Sequence, residues 1–300
     1  MANALASVDR DIVYSICQWG IGDNMAEWAG PIGSSWGISN DIINNWISVF
    51  RITNQIVPFA KYSAPGKYND MDMLMVGNGG MTVEESKTHF TLWCIEKSLL
   101  FLGAGLERNL LDATSLEILK NMELVAINKA PLGEVAKLMR WYTEEQYDVW
   151  AGNLSNSRTI FIVANWGRTA KTITVDLPDA GIQSAGKTRD VWSKSDIGAL
   201  DGRYTAEVTG HGVKVLILEN TVAARSYKSL VFDSQSSTSG FGKVYAHTSS
   251  EYSYEVTTPA RQSRQITVTA GNCKLRAPTV SGAQPTRFHP SHSLPAKTRS

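Results

Sequence analysis

The first 138 residues alternate short apolar runs with stretches of helical spacing, a rhythm that predicts a parallel β/α sheet. Ile12-Val13-Tyr14-Ser15-Ile16 is a continuous apolar run ending in the glycine-rich Trp19-Gly20-Ile21-Gly22, the pattern of a strand covered on both faces. A strand-like stretch at 35–38 gives way to helical spacing over 42–50. Asp72-Met73-Leu74-Met75-Val76 reads as the next strand and runs into Gly77-Asn78-Gly79-Gly80. Thr82 then offers an N-cap, with Glu84 and Glu85 in the first turn, so a helix is expected from there to about Ser98. Residues 98–102 read as one more apolar strand and 114–121 as a short helix, and Pro131-Leu132-Gly133 closes the region.

After Arg140 the period changes to two. Runs at 148–152, 159–164, 171–177, 189–192 and 212–218, split by Gly, Asn, Asp and Pro, predict an antiparallel β-sandwich over 139–220. From Thr221 the chain turns rich in Ser, Thr and Tyr. Strands at 244–254 and 265–269 would make a small β module within 221–275, and 276–300 reads as a disordered tail.

Composition narrows the function classes. A chain of 300 residues, 43% hydrophobic and 19% charged, buries a sizeable core without help from metal or disulfide. Its formal charge of +1 gives no electrostatic footprint for nucleic acid or an anionic membrane, and neither is expected as a partner. No stretch approaches the length of a membrane span and the first residues lack an apolar signal core, so the literal sequence reads as cytoplasmic. Cys17, Cys94 and Cys273 are widely spaced without a metal-ligand pattern, and Cys94, in an apolar helical run, is expected to be buried. His89 has no second ligand nearby and reads as a packed residue, while the glycines at 77, 79 and 80 lack the residues of a phosphate loop. No metal or cofactor is expected. Asn153-Leu154-Ser155 forms a glycosylation sequon.

The chemistry is carried by acids that stand where apolar runs meet loops. Asp41 follows Ser35-Trp36-Gly37-Ile38, and Asp70 and Asp72 lie in Tyr68-Asn69-Asp70-Met71-Asp72-Met73. Acids at the carboxyl ends of successive parallel strands are how a β/α barrel assembles an active site from several loops. Retaining cleavage of a glycosidic bond uses two such carboxylates about 5–5.5 Å apart, one as nucleophile and one as acid/base. Two readings stay open for Asp41: an acid/base, or a plain N-cap for a helix opening at Ile42. The nine Trp and ten Tyr suit stacking on sugar rings, but Trp is also a common core residue and composition alone favours the core.

Several motifs in order resemble glycoside hydrolase family 27, the α-galactosidases. Tyr14-Ser15-x-Cys17-x-Trp19 resembles the strand-five stretch, Trp36-Gly37 with Asp41 the strand-six motif, and the segment from Pro65 to Leu74 the strand-seven motif. Thr88-His89-Phe90-Thr91-Leu92-Trp93 and Ala126-Ile127-Asn128 are similar to later segments of that family. Arg140-Trp141-Tyr142 and Asp176-Leu177-Pro178-Asp179-Ala180-Gly181 are most like the secreted fungal D-type enzymes. The resemblance covers about residues 5–220. It implies that Asp41 is the acid/base, that Asp72 and Met73 line the galactose pocket, and that Gln18 stands where a Glu often reads the 2-substituent, with Trp19 in the same wall. Asn69 and Asp70 would support the pocket or simply shape the loop.

The departures are as informative. Gly37 stands for the Arg four residues before the acid/base, Tyr68 for a Trp, Met71 for a Pro, Leu99 for a Pro, and Lys129-Ala130 for a Gln-Asp pair. The nucleophile of the family's strand four has no counterpart ahead of Asp41. The expected fold is therefore the C-terminal half of a (β/α)8 TIM barrel followed by an antiparallel β-sandwich and a β-rich, disordered tail. The implied activity is retaining hydrolysis of terminal α-D-galactosyl residues, impaired by the missing nucleophile, with an α-galactoside oligosaccharide or polysaccharide as substrate. An incomplete gene product and a non-catalytic carbohydrate-binding relative are the alternatives. An open half-barrel exposes unpaired strand edges, which predicts self-association or pairing with another half-barrel. The resemblance implies secretion.

Overall fold

The computed structural model describes residues 1–20, 25–106, 111–142 and 145–224, and four later strands at 232–236, 243–246, 252–257 and 263–268. Helix α1 (Ala2–Ala6) precedes β1 (Ser15–Ile16), α2 (Met25–Ala29), β2 (Ser35–Gly37), α3 (Trp46–Ile56), a 3-10 turn at Val57–Tyr62 and β3 (Tyr68–Asp70). The strands lie parallel in the order β1-β2-β3, with Ile16 opposite Trp36 and Gly37 opposite Asp70. Past β3 the chain adds a parallel bridge between Leu74 and Leu102. The β/α alternation expected for this region is thus present, with shorter strands than the apolar runs suggest.

Three boundaries differ from expectation for physical reasons. Ile12 and Val13 are 39% and 79% exposed and only Ile16 of that run is buried, because β1 has a neighbour on one side only among the described strands. The strand expected at 72–76 stands at 68–70, because Asp72 adopts φ 77°, a left-handed conformation that ends extended pairing. Leu74 and Val76 are still buried, as loop residues. The helix expected from Ile42 starts at Trp46, because Asn45 is the residue whose side chain accepts from the Ser48 amide at 2.9 Å. Asp41 is no helix cap.

Helix α4 (Val83–Ile95) opens as the sequence suggests. The Glu85 amide donates to Thr82 Oγ1 at 3.2 Å and the Thr82 amide donates to Glu85 Oε2 at 2.8 Å, a complete capping box. Ten of its residues, from Glu85 to Ile95 with Lys87 excepted, are buried, so it is covered around most of its circumference. The polar ones are satisfied by neighbours: Thr88 donates to the His211 carbonyl at 2.7 Å and Thr91 Oγ1 accepts from Trp192 Nε1 at 3.1 Å. His89 Nε2 accepts from the Met75 amide at 2.9 Å, and burial pushes this imidazole down to about 3, so it stays neutral. Cys94 is buried, as expected. Helices α5 (Ala113–Leu119) and α6 (Met122–Asn128) follow, the second capped by Asn121 and not anticipated.

The period-two region builds two sheets. β4 (Lys137–Tyr142), β5 (Tyr147–Leu154), β6 (Arg158–Asn165), β7 (Lys171–Asp176), β8 (Ile182–Asp190), β9 (Ser195–Asp201), β10 (Arg203–Val208) and β11 (Val213–Ala223) form a six-stranded sheet, β4-β5-β6-β11-β8-β9, and a pair, β10-β7. Alternation along β6 sorts its side chains: Phe161 and Val163 pack with Ile173 and Val175 between the sheets, while Ile160, Ile162 and Ala164 join the core that holds Phe90, Leu92 and Trp93. Both faces of the central strands are therefore buried. β12 (Phe232–Ser236) pairs with β13 (Lys243–Ala246), and within the separate unit Thr248–Ser300 β14 (Tyr252–Thr257) pairs with β15 (Ser263–Val268). Cys273 and the disorder expected for 276–300 lie outside the described residues.

Asp148 on β5 is 2% exposed, and burial pushes its carboxyl up to about 7 against the opposing pull of the Trp166 indole. The native carboxyl keeps its proton through a range in which the unfolded one, near 3.8, has lost it, so this group's contribution to stability falls as pH rises from about 4 to about 7. Asp148→Asn removes that dependence. Its stability relative to the parent, from urea unfolding, should rise across this window by up to about 1.4 kcal/mol per pH unit and level off above it. A difference independent of pH would contradict the assignment.

Candidate active site

The carboxyl ends of β1, β2 and β3 converge. Past β1, Gln18 is half-buried and Trp19 is 45% exposed with φ 65°. Gly20 follows at φ 67°, its amide donating to the Gly37 carbonyl at 3.2 Å, and a Cβ there would meet the Ile38 carbonyl oxygen at 2.1 Å. Glycine is required at this crossing. A Cβ at Gly37 would meet only ordinary contacts, the nearest being Ile16 O, Trp19 N and Gln18 N at 3.8–3.9 Å. The first two strand ends are therefore neighbours across position 37.

The third strand end is a web of backbone capture. Asn69 is fully buried: its Oδ1 accepts from Trp36 Nε1 at 2.7 Å and its amide donates to Phe59 O and Ser63 Oγ. These bonds tie Asn69 to Trp36 of β2 and to the turn that follows α3. Asp70 Oδ1 accepts from the Asp72 amide at 2.9 Å; burial chiefly raises this carboxyl, the Asp72 amide opposes the rise and the charge of Asp72 adds to it. Asp72 Oδ1 accepts from the Met73 amide and Oδ2 from the Ile42 amide, both at 2.6 Å. Trp93 Nε1 donates to the Asp72 carbonyl at 2.7 Å, which fixes the left-handed turn from the helix side. Met73 is 45% exposed beside it.

Asp41 is exposed, one residue before the amide that Asp72 captures. Ser48 Oγ takes the Ile43 amide at 3.0 Å. Arg51, on α3, reaches the same loop: one terminal nitrogen donates to Asn40 Oδ1 and to Gln55 Oε1 at 3.1 Å, the other to the carbonyls of Asn40 and Asp41 at 3.3 and 3.4 Å and to Ser48 Oγ at 3.3 Å. Burial lowers its pKa and attraction from Asp72 opposes that.

The structure thus joins Asp41 to Asp72 and Met73 through the Ile42 amide, and sets Gln18 and Trp19 on the adjoining strand end. Sequence reasoning missed Arg51 and Trp93. A signal for the first existed: Arg51 is the only Lys or Arg between Arg10 and Lys61.

Parallel strands with acids at their carboxyl ends, leading into an antiparallel sandwich, are an arrangement in which a β/α fold gathers polar side chains from several loops into one site. Residues 1–130 match the family model described as alpha galactosidase A, and residues 144–218 match the alpha galactosidase C-terminal beta sandwich domain. A probable alpha-galactosidase D from Aspergillus terreus is 43% identical over 283 residues, covering 92% of this chain and 43% of the relative. Alpha-galactosidase D from Emericella nidulans is 43% identical over 252 residues, covering 83% of this chain and 38% of the relative. The crystal structure of alpha-galactosidase I from Mortierella vinacea superposes with a TM-score of 0.70 at 30% identity, covering 75% of this chain and 62% of that one. The chain belongs to glycoside hydrolase family 27, the α-galactosidases. It spans about two fifths of the length of the curated relatives it matches. No described helix is long and apolar enough to cross a membrane.

The two glycines make a paired test. Gly37→Arg should change unfolding free energy by less than about 1 kcal/mol, because a Cβ at position 37 meets only ordinary van der Waals contacts. Gly20→Ala should cost more than about 2 kcal/mol, from strain at positive φ plus the clash with Ile38. Urea denaturation of both variants decides, and equal losses would refute the geometry.

Proposed function

We propose that this chain carries the acid/base side of a retaining α-galactoside hydrolase site, with Asp41 as the proton donor and acceptor. The observation that carries the reading is the Ile42–Asp72 bond at 2.6 Å, which holds an exposed carboxylate, free of any capping duty, at the carboxyl end of β2. Asp41 would protonate the leaving oxygen, then take a proton from the water that releases the glycosyl intermediate. Trp19 offers a sugar ring an exposed apolar face, Gln18 and Asp72 offer its hydroxyls polar partners, and Met73 closes the wall. The three short parallel strands and the Leu74–Leu102 bridge correspond, in this reading, to strands five to eight of the barrel. Secretion, drawn from the likeness to the D-type enzymes, belongs to the same reading.

The second carboxylate is the weak point. Both oxygens of Asp72 accept backbone amides and Asp70 accepts the amide of Asp72, so the acids nearest Asp41 in the described loops are engaged in shaping backbone. On this ground the chain alone is expected to turn over α-galactosides feebly or not at all. A non-catalytic galactose-binding role is the second reading, favoured by the same engaged acids and by the bare position 37.

Hydrolysis of an aryl α-galactoside by the protein, beside Asp41→Asn, tests both. The expected outcome is no measurable turnover together with a galactose-dependent rise in melting temperature. Turnover lost in Asp41→Asn would mean that another carboxylate, or one from a second copy of the chain, serves as nucleophile. Neither turnover nor stabilisation by galactose would overturn the reading of the site.

A further inference from the structure

We propose that Arg51 is the positioning residue of the acid/base loop: it grips the Asp41 carbonyl from α3 while Asp72 grips the following amide, and the two together set where the Asp41 carboxyl stands. The proposal rests on the reading of Asp41 given above. Residues 38–45, between β2 and α3, have no strand or helix to hold them. The Ile38 amide donates to the Asp70 carbonyl, the Asn45 amide to the Ile43 carbonyl and Ser39 Oγ to the Asn40 carbonyl, while the groups around Asp41 are taken up by side chains from outside the loop. Arg51 takes the carbonyls of Asn40 and Asp41, Asp72 the Ile42 amide, and Ser48 the Ile43 amide. The peptide unit joining Asp41 to Ile42 is thus held at its oxygen by a cation and at its nitrogen by an anion.

The geometry uses what distinguishes arginine from lysine. One guanidinium nitrogen serves the side chains of Asn40 and Gln55 while the other serves two carbonyls and Ser48 Oγ, a planar fork tying Asn40 and Asp41 of the loop to Ser48 and Gln55 of α3. A lysine ammonium on a flexible stem cannot span those acceptors at once. The opposite charge of Asp72 acts on the same guanidinium, so the two grips are also coupled electrostatically. No other Lys or Arg occurs between residues 11 and 60 to take over the role.

The test pairs a measurement without ligand with one that uses D-galactose. Hydrogen exchange read by mass spectrometry on peptides spanning 38–45 should speed about tenfold or more in Arg51→Gln and in Arg51→Lys, with peptides of α4 and the sandwich unchanged. D-galactose affinity, by calorimetry, should fall about tenfold in each variant. In an Asp41→Asn background, already weakened, Arg51→Gln should change it less than about twofold, because a residue acting through Asp41 has nothing left to position. Fully additive losses, or unchanged exchange over 38–45, overturn the proposal. Galactose binding that is indifferent to Asp41→Asn, or absent from the parent, instead defeats the reading of the site; the exchange of 38–45 then decides the clamp alone.

Discussion

The burial of helix α4 is the constraint on which the rest of this structure leans. Its capping box fixes where it begins, and the hydrogen bond from the Ala136 amide to the Ile95 carbonyl fixes where the chain leaves it. Between those ends it presents Trp93 to the Asp72 turn, His89 to the Met75 amide, Thr88 to the loop at His211 and Thr91 to Trp192. Each of these polar groups is buried, so each bond left unmade would carry the desolvation cost of a lone donor or acceptor. The helix therefore has one acceptable depth and one acceptable rotation. Both the parallel strands and the sandwich take their places from it.

The same logic reaches the acids. A left-handed aspartate in a surface loop is strained unless its surroundings over-determine it. Asp72 meets that condition, with its amide, its carbonyl and both carboxylate oxygens all bonded. What α4 fixes at the Asp72 carbonyl is passed through the carboxylate to Ile42, and so to the loop that presents Asp41. At the other end of α4, Glu85 meets His211 Nδ1 at 2.6 Å, and the His211 ring stacks on Trp46 at the start of α3. One helix thus braces the loop that carries Asp41 from both sides, through β3 and through α3.

Much of this was legible in the residues. The apolar runs placed the first two parallel strands, Thr82 with Glu85 announced α4, and the change of period at Arg140 announced the sandwich. What was not legible has identifiable causes. Met73 to Val76 imitates a strand because Leu74 and Val76 are buried, yet the backbone there is governed by φ at Asp72, which no hydrophobic pattern encodes. β9 escaped notice because its residues are almost all exposed, leaving no alternation to read. Asp41 could be read as a cap until Asn45 was seen in extended geometry with its side chain on the Ser48 amide. For Arg51 the one sequence signal was its isolation as a cation, and its carbonyl targets at Asn40 and Asp41 could not be read, because carbonyls look alike in every sequence.

The two-sided burial of β6 and β11 bears on heredity as well as on stability. A sandwich whose outer sheet is wet can be moved between proteins as a cassette. Here the sheet facing α4 carries Trp150, Ile160, Ile162, Val215 and Ile217 into the core shared with the helices. Recombination between α6 and β4 would strand that apolar face in water and strip α4 of its cover. The two modules can therefore diverge only in step, each substitution on one side answered by its neighbour on the other.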